Sequence, residues 1–189
     1  MRSWGRATSL ALGFLLLGGC MTSSYALKLV QDTDRFSLSD TRLGMGVDDT
    51  LKIAQRHFGQ EARCTSEKGG VPTQKKATLL QVCVFDAPAN VFLARHKVLK
   101  AGYQFRDGLL QQIDLEMEPK DEGQALDALE AEISASLGIP KQQQGPMKSW
   151  VGESDAAMLV RQGNLKLRVL NRSLLPADAD YERITPRAR

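Results

Sequence analysis

The chain has 189 residues, with 25 lysines and arginines against 22 aspartates and glutamates. Two of these arginines lie in an apolar N-terminal segment, and without it the balance is 23 against 22, a net charge of +1. A domain this close to neutral lacks the basic surface on which phosphate binding depends, so nucleic acid is not expected as a partner.

The first nineteen residues, 1–19, have the pattern of a signal peptide. Arg2 and Arg6 precede an apolar run from Ala7 to Leu17. A run of about a dozen residues fits the core of a signal peptide and is too short to cross a hydrocarbon layer about 30 Å thick. The pattern therefore predicts export, and no later apolar run has the length of a membrane span.

The apolar run ends in Leu17-Gly18-Gly19-Cys20, which resembles the lipobox of bacterial lipoprotein precursors. The resemblance implies cleavage before Cys20 and lipidation of this residue, including palmitate-type acylation of the new terminus. Several acyl chains on one residue form a durable membrane anchor. Met21, in place of aspartate, implies by the sorting rule of that family the outer membrane, with the domain facing the periplasm. An ordinary signal-peptidase site at Ser24-Tyr25-Ala26 is the alternative.

By composition, the remaining chain divides into a short N-terminal tether, one domain and a C-terminal tail. About 170 residues suffice for one well-buried domain or for two small halves packed together. The predicted division is a signal peptide at 1–19, a lipidated N-terminus and tether at 20–40, an α+β domain at 41–172 with possible halves 41–118 and 119–172, and a polar tail at 173–189.

Two cysteines remain once Cys20 carries lipid, and both stand in strand-like surroundings. An exported protein reaches an oxidising compartment, where an even pair of cysteines is typical of a disulfide. The sequence therefore predicts a Cys64–Cys83 bond. A reactive thiol beside His57 or His96 is the less favoured alternative, and neither the cysteines nor the histidines have metal-ligand spacing.

The first predicted helix lies in "GVDDTLKIAQRHFG". Its apolar positions, Val47, Leu51, Ala54 and Phe58, fall on one helical face, and Gly59 is placed to end the helix. The following run "ATLLQVCVF" is typical of a strand buried on both faces.

A β-hairpin is predicted in "AGYQFRDGLLQQIDLEM". A three-residue loop, Arg106-Asp107-Gly108, would pair Phe105 with Leu109 and Ala101 with Ile113. The apolar face of this hairpin continues through Leu115 and Met117, whereas the acids Asp114, Glu116 and Glu118 alternate on the outer face, toward water.

A second helix and a second hairpin follow. Asp121 and Gln124 have capping-box spacing, and the apolar stripe consists of Leu126, Leu129, Ile133 and Leu137. Gly138 and Pro140 end the helix. Trp150 is expected in the core or at a sheet edge. In "AMLVRQGNLKLRVL", a Gly163-Asn164 turn would pair Val160 with Leu167 and Met158 with Val169 on one apolar face.

The order helix, strands, helix, strands resembles the modules of the β-lactamase-inhibitor-like fold. The segments "LGMGVDDTLKIAQRHFG" and "YQFRDGLLQQI" also resemble the SmpA/OmlA (BamE-like) envelope lipoproteins, in which a Gly-Met pair precedes the helix and an aromatic-x-Asp-Gly stretch ends a strand. These resemblances imply an α+β fold of two helix-plus-antiparallel-strand units packed as one domain. They also imply docking to envelope or outer-membrane proteins.

No motif in the chain builds a reacting centre, so no enzyme activity, metal or cofactor is expected. His57 at a helix end is expected to occupy a position that favours a cation or is merely solvated, and His96 is expected on a solvated, basic strand face. The function predicted from these features is a non-catalytic protein-binding or envelope-assembly lipoprotein. An inhibitor or ligand-binding module is the alternative, and a hydrolase of cell wall or lipid is less favoured. The predicted partner surface consists of Arg95, Lys97, Lys100, Gln104, Arg106 and Gln112.

Overall fold

The computed structural model of the protein describes residues 24–32, 35–69, 78–118, 124–144, 147–162 and 164–172. The predicted signal peptide with Cys20, the residue Asp121 and the predicted polar tail at 173–189 lie outside these residues. Neither of the two helices described is long and apolar enough to span a membrane.

The described residues form thirteen strands and two helices. The strands are β1 (Tyr25–Leu27), β2 (Leu29–Asp32), β3 (Arg35–Leu38), β4 (Thr41–Arg42), β5 (Arg63–Gly69), β6 (Thr78–Asp86), β7 (Val91–Leu93), β8 (His96–Arg106), β9 (Leu109–Met117), β10 (Gln142–Gln144), β11 (Met147–Val151), β12 (Asp155–Gln162) and β13 (Asn164–Asn171). The helices are α1 (Val47–Phe58) and α2 (Gln124–Leu137).

The predicted α+β class is wrong, because the described residues are 57% strand and only 20% helix, and most strands belong to one curled mixed sheet. Its main path runs β1-β7-β8-β9-β13-β12-β11-β10, and β6 joins β8 while β5 pairs with β6. Strand β9, from the first possible half, pairs from Gln112 to Met117 with β13, from the second. The two halves therefore share one sheet.

Residues 25–32 and 35–42, most of which were predicted as a tether, form four short strands. Strand β1 pairs in parallel with β7, while β2, β3 and β4 form a separate antiparallel sheet. The side chains of Leu27, Leu29, Phe36 and Leu38 are buried in the core. This part of the chain therefore contributes apolar surface to the folded domain.

The buried carboxylate of Asp155 links the three-stranded sheet to the large one. Its Oδ2 accepts a hydrogen bond from the backbone N–H of Phe36 at 2.8 Å. Burial raises the pKa of Asp155, whereas the Phe36 hydrogen bond and the nearby charge of Arg35 act in the opposite direction. The ring of Phe36 also lies against Gly152, where a Cβ atom would come within 3.3 Å of the ring.

The predicted first helix is confirmed. It ends at Gly59, which adopts the left-handed conformation with φ 66° and donates its N–H to the carbonyl of Gln55. Ala54 and Phe58 are buried, and Val47 and Leu51 pack partly buried against the same core. The helix therefore covers the sheet with the face that its 3.6-residue periodicity predicts.

The second helix is also where the sequence predicts it. Leu129 and Ile133 are buried, near Leu29 of β2 and Leu93 of β7. Gly138 follows the helix with φ 82°. The Lys148 ammonium of β11 forms an ion pair with the Glu130 carboxylate of α2, which ties the helix to this strand.

Both predicted hairpins exist, but each has a different register. The β8–β9 turn has two central residues, because Asp107 and Gly108 both have positive φ, as a type I′ turn requires. Ala101 therefore lies opposite Leu115, not Ile113. Two irregularities in the pairing, one of them between Val98 and Lys100, bring buried side chains back to the same face.

The β12–β13 hairpin differs from the prediction by one residue. Leu159 lies opposite Leu167, whereas Val160 lies opposite Lys166 and Met158 opposite Arg168. A one-residue shift reverses the face of every side chain on a strand. Met158 and Val160 therefore point to the side away from Leu167, and their predicted place on the same apolar face is wrong. Gly163 lies outside the described residues.

Strand β6 is not buried on both faces as predicted. Cys83 and Phe85 are fully buried, whereas Val82 and Val84 are half-buried on the opposite face. Leu79 is 40% exposed, so this end of the strand is open to solvent on one side. The large sheet thus has a core face, against which the two described helices pack, and an opposite face that is partly open to solvent, here called the open face.

The predicted disulfide is confirmed. Cys64 and Cys83 lie directly opposite each other on β5 and β6, with their Cα atoms 4.0 Å apart, and their sulfur atoms are bonded. The sulfur of Cys83 is in the core, and Cys64 is on the edge strand. The bond therefore attaches an edge strand that has β6 as its strand partner.

Candidate binding groove on the open face of the sheet

The open face of the sheet contains a depression of about 550 Å³, here called the open-face groove. Side chains from β6, β8, β9, β13 and β12 line it. Apart from Leu115, the lining residues come from alternate positions of each strand, because intervening residues such as Ala101, Ile113 and Leu167 are buried in the core.

Two rows of side chains cross the middle of the groove. In the first row, Glu116 of β9 lies directly between Lys100 of β8 and Lys166 of β13. In the second row, Asp114 lies between Gly102 and Arg168. Opposite charges therefore face each other across adjacent strands, which stabilises this pairing.

Asp114 is held by three neighbouring side chains. Its Oδ1 accepts a hydrogen bond from Nε of Arg168 at 2.7 Å, in an ion pair. Its Oδ2 accepts from the amide nitrogens of Gln112, at 2.6 Å, and Gln104, at 3.1 Å. This carboxylate therefore has charge-assisted partners on both oxygens and serves to orient them.

Glu116 and the two lysines of its row differ in their partners. The Glu116 carboxylate accepts a hydrogen bond from the side-chain amide of Asn164. Within the part of the chain that the structure describes, neither Lys100 nor Lys166 has an ion-pair partner within 4.0 Å. Both ammonium groups are exposed, so they are available to an anionic group in the groove.

Apolar side chains flank the charged rows on both sides. Val82 and Val84 lie on the β6 side, and Met158 and Val160 on the β12 side. Between these apolar side chains the groove is deepest at Gly102, because glycine has no side chain to fill it. A Cβ atom added there would meet Asp114 Cβ at 3.7 Å, an ordinary contact, so a larger residue would fit on the backbone and project into the groove.

The structure brings together three residues of the predicted partner surface. Lys100 and Gln104 line the groove, and Gln112 bonds to Asp114 inside it. Arg95 is in the β7–β8 turn with φ 66°, and Lys97 follows in the part of β8 that pairs with β7. Arg106 is at the far end of β8, roughly 35 Å from Arg95 at about 3.3 Å per residue.

Sequence reasoning missed the β12 and β13 side of the groove. Lys166 and Arg168 alternate on β13 in the same way as Asp114 and Glu116 alternate on β9. That complementary alternation was a usable signal for pairing the two strands. It also shows that Asp114 and Glu116 do not simply face water, as predicted, but carry hydrogen-bonded partners.

Both histidines are buried, and the prediction that they are solvated is wrong. The His57 ring stacks on Tyr25 of β1 with centroids 4.6 Å apart, and its Nε2 is 3.9 Å from the Asp40 carboxylate. Burial lowers the pKa of His57, Asp40 acts in the opposite direction, and Arg56 lowers the pKa further. Neither histidine lines the open-face groove.

Protonation of His57 is expected to destabilise the fold. The pKa is lower in the folded chain than in the unfolded chain, so stability is complete above about pH 6.5 and falls as the pH drops through that value. In His57→Phe, an aromatic ring still faces Tyr25 but cannot take up a proton. The unfolding free energy of the wild type minus that of the variant should therefore decrease from pH 7.5 to pH 5.5. A constant difference, measured by urea denaturation, would contradict this.

Among the residues that the structure describes, no three His, Cys, Asp or Glu side chains come together as a metal site. Comparisons of the chain with protein-family models, with curated proteins and with solved structures give no match.

Proposed function

We propose that this protein is a lipid-anchored envelope protein that binds other envelope proteins through the open-face groove and has no catalytic role. The observation that carries the proposal is the groove itself, in which charged rows lie between two apolar walls on a sheet face that neither of the two described helices covers. The lipobox around Cys20 supports an anchor at the outer membrane, with the domain on the periplasmic side.

The composition of the groove favours protein binding. The free face of an antiparallel sheet is ordinarily polar. Here Val82, Val84 and Val160 keep part of their surface exposed beside ordered charges. An apolar patch with a polar rim is typical of interaction sites, and fixed charges select the partner.

The state of the carboxylates argues for binding over proton transfer. A general acid or base must be free to exchange a proton with the reacting group. Asp114 instead receives three hydrogen bonds, and Glu116 receives one from Asn164. Such carboxylates hold neighbouring side chains in place, which is the requirement for a preorganised binding surface.

A small-ligand binding role is the second candidate, because a volume of about 550 Å³ falls within the range of small-molecule sites. The same groove would serve both roles, and they differ in what occupies it.

Filling the groove is expected to abolish partner capture. Gly102→Phe places a phenyl ring on the floor without backbone strain, whereas Ala128→Phe adds the same ring at an exposed position of α2. Crosslinking in intact cells should give discrete partner bands with wild type and Ala128→Phe, and not with Gly102→Phe. Equal capture by all three chains, at equal thermal midpoints, would contradict the proposal.

The anchor has a separate test. A fatty-acid analogue fed to cells should label the wild-type chain and not Cys20→Ser, because the lipobox resemblance implies acylation at this residue. The Cys20→Ser chain should also leave the membrane fraction. Equal labelling of both chains, or a mature terminus at Leu27, would contradict lipid anchoring.

A further inference from the structure

We infer that strand β5 is an interface between two copies of this chain, which pair antiparallel along β5 with Thr65 of one copy opposite Thr65 of the other. This interface lies at the edge of the large sheet and is separate from the groove proposed above for envelope proteins. The exposure of β5, the direction of its backbone groups and the order of its charges support the pairing.

Strand β5 contributes little to the core. Residues 63–67 are all exposed. A strand is ordinarily stabilised by side chains packed against its neighbours, yet here the Cys64–Cys83 bond fastens an exposed strand to the sheet. Packing in the core therefore does not explain why β5 is held in place, whereas presentation of its outer edge does.

The outer edge of β5 carries backbone groups that point away from the sheet. The Cα atoms of Cys64 and Cys83 are 4.0 Å apart, closer to the spacing of a non-hydrogen-bonded pair, about 4.5 Å, than to that of a hydrogen-bonded pair, about 5.5 Å. Cys64 therefore directs its N–H and C=O away from β6, and Ser66 does the same because the pattern repeats every two residues. Strand β6 has the matching phase, since the carbonyl of Leu79, four residues before Cys83, accepts from the N–H of Asp107 at the end of β8. Among the described strands only β6 pairs with β5, so another strand can bond to this edge.

The charges of β5 are self-complementary. Arg63 and Glu67 lie two residues before and after Thr65, and all three share the side of the strand on which Val82, the partner of Thr65, lines the open-face groove. In an antiparallel pair centred on Thr65, Arg63 of each copy faces Glu67 of the other, and the two-fold symmetry repeats this pair of opposite charges. A shift by two residues in either direction places Arg63 or Glu67 opposite Thr65 and removes both pairs. A shift by four places two arginines or two glutamates opposite each other, so the charges favour the Thr65-centred register.

The Arg63 guanidinium already has one partner in its own chain. Its Nη2 lies 2.6 Å from the Asp86 carboxylate. A guanidinium has further N–H donors in a planar fork, and the Arg63 side chain is 73% exposed, so donors remain for Glu67 of the second copy. Asp86 thus orients the guanidinium, and this ion pair does not have to break when the two copies associate.

The pairing places both open-face grooves on the same side of one continuous sheet. Directly opposite residues of an antiparallel pair lie on the same face, so the row of Val82 and Thr65 in one copy continues into Thr65 and Val82 of the second copy. The two Val82 residues are three strand spacings apart, about 14 Å. The dimer therefore presents two identical grooves side by side.

Exchange of charges tests the pairing. Two differently tagged full-length chains are expressed in the same cells, and the fraction that co-purifies after detergent extraction is measured. Arg63→Glu in both chains, or Glu67→Arg in both, should lower co-purification about tenfold, because like charges then face each other twice. Arg63→Glu in one chain with Glu67→Arg in the other should restore the wild-type level, because both pairs again have opposite charges. This restored mixture also shows that both variants fold.

The matched control is Lys52→Glu, at an exposed position of α1, which should co-purify like the wild type. Equal co-purification by all charge variants would overturn the inference, as would failure of the mixed pair to recover.

Crosslinking at a single position tests the register. A photo-crosslinking amino acid at Thr65 should give a band at twice the mass of the chain, because Thr65 lies at the symmetry axis, whereas the same group at Gln55 on α1 should not. A Thr65 band of any other mass would show that a strand of a different protein pairs with β5, and this result or the absence of a band would overturn the inference.

The two sites are distinguished by Gly102→Phe. This variant should block capture of envelope proteins in the groove and leave co-purification of the two tagged chains at the wild-type level, because β5 is unchanged. Loss of co-purification in Gly102→Phe would place the contact between copies in the groove and would contradict the β5 interface.

Discussion

Replacement of Trp150 by alanine should lower the free energy of unfolding by about 3–5 kcal/mol, the usual cost of removing a large aromatic side chain from a core. Among the residues that the structure describes, Trp150 is the largest side chain that is fully buried. Its Nε1 donates a hydrogen bond to the carbonyl of Gly138 at 2.9 Å. The indole therefore ties β11 to the end of α2 as well as filling the core.

The matched control is Trp150→Phe, which keeps an aromatic ring and removes the indole N–H. Trp150→Phe should lower the free energy of unfolding by less than the alanine variant does. About 1–3 kcal/mol of its loss should arise because the Gly138 carbonyl no longer has this hydrogen-bond donor. Chemical denaturation of both variants measures the two contributions. Equal stability of wild type and Trp150→Ala would show that Trp150 is not packed as described.

Reduction of the Cys64–Cys83 bond should lower the free energy of unfolding by about 3 kcal/mol. The bond closes a loop of about twenty residues, and the chain-entropy model gives this value for a loop of that length. The loss should appear first in β5, because it is an edge strand held by β6 alone among the described strands. Denaturation of one preparation with and without reductant measures the effect while both cysteine side chains remain.

The double variant Cys64→Ala, Cys83→Ala is the control for the reductant. Its free energy of unfolding should equal that of the reduced wild type, apart from the loss due to the missing packing of the Cys83 sulfur, which is fully buried. Its stability should not change when reductant is added. An identical denaturation midpoint for oxidised and reduced wild type would mean that the bond does not constrain the unfolded chain as the entropy model requires.

Features set by local sequence were predictable. Helix α1 ends at Gly59 because a left-handed residue is favoured there, and its buried face follows the spacing of Ala54 and Phe58. The disulfide followed from the number of cysteines and the signs of export. Both kinds of inference depend on a few neighbouring residues or on a simple count, so the rest of the fold does not change them.

Strand registers and faces were not predictable in the same way. Val82, Val84, Met158 and Val160 are as hydrophobic as core residues, and hydrophobicity alone does not tell which face of a sheet is covered. The irregularity after Val98 breaks the simple alternation along β8. The groove therefore emerged only from the pairing of β9 with β13, which joins parts of the chain some fifty residues apart.

The N-terminal strands were missed for a related reason. Leu27 and Leu29 are buried by a parallel partner, β7, and by α2, both distant in the sequence. Short strands have little periodicity of their own, so tertiary contacts determine their structure. The same contacts explain why His57, at a helix end where exposure is usual, is instead covered by Tyr25.

The most direct measurement of the central claim uses a photo-crosslinking amino acid placed at single positions in the full-length chain in living cells. Val84 and Val160 sample the two walls of the open-face groove, and Gln55 samples the exposed side of α1. Binding through the groove predicts the same discrete partner band from both wall positions, lost when Gly102→Phe is added, and no such band from Gln55. Partner bands from Gln55 with none from Val84 or Val160 would contradict it.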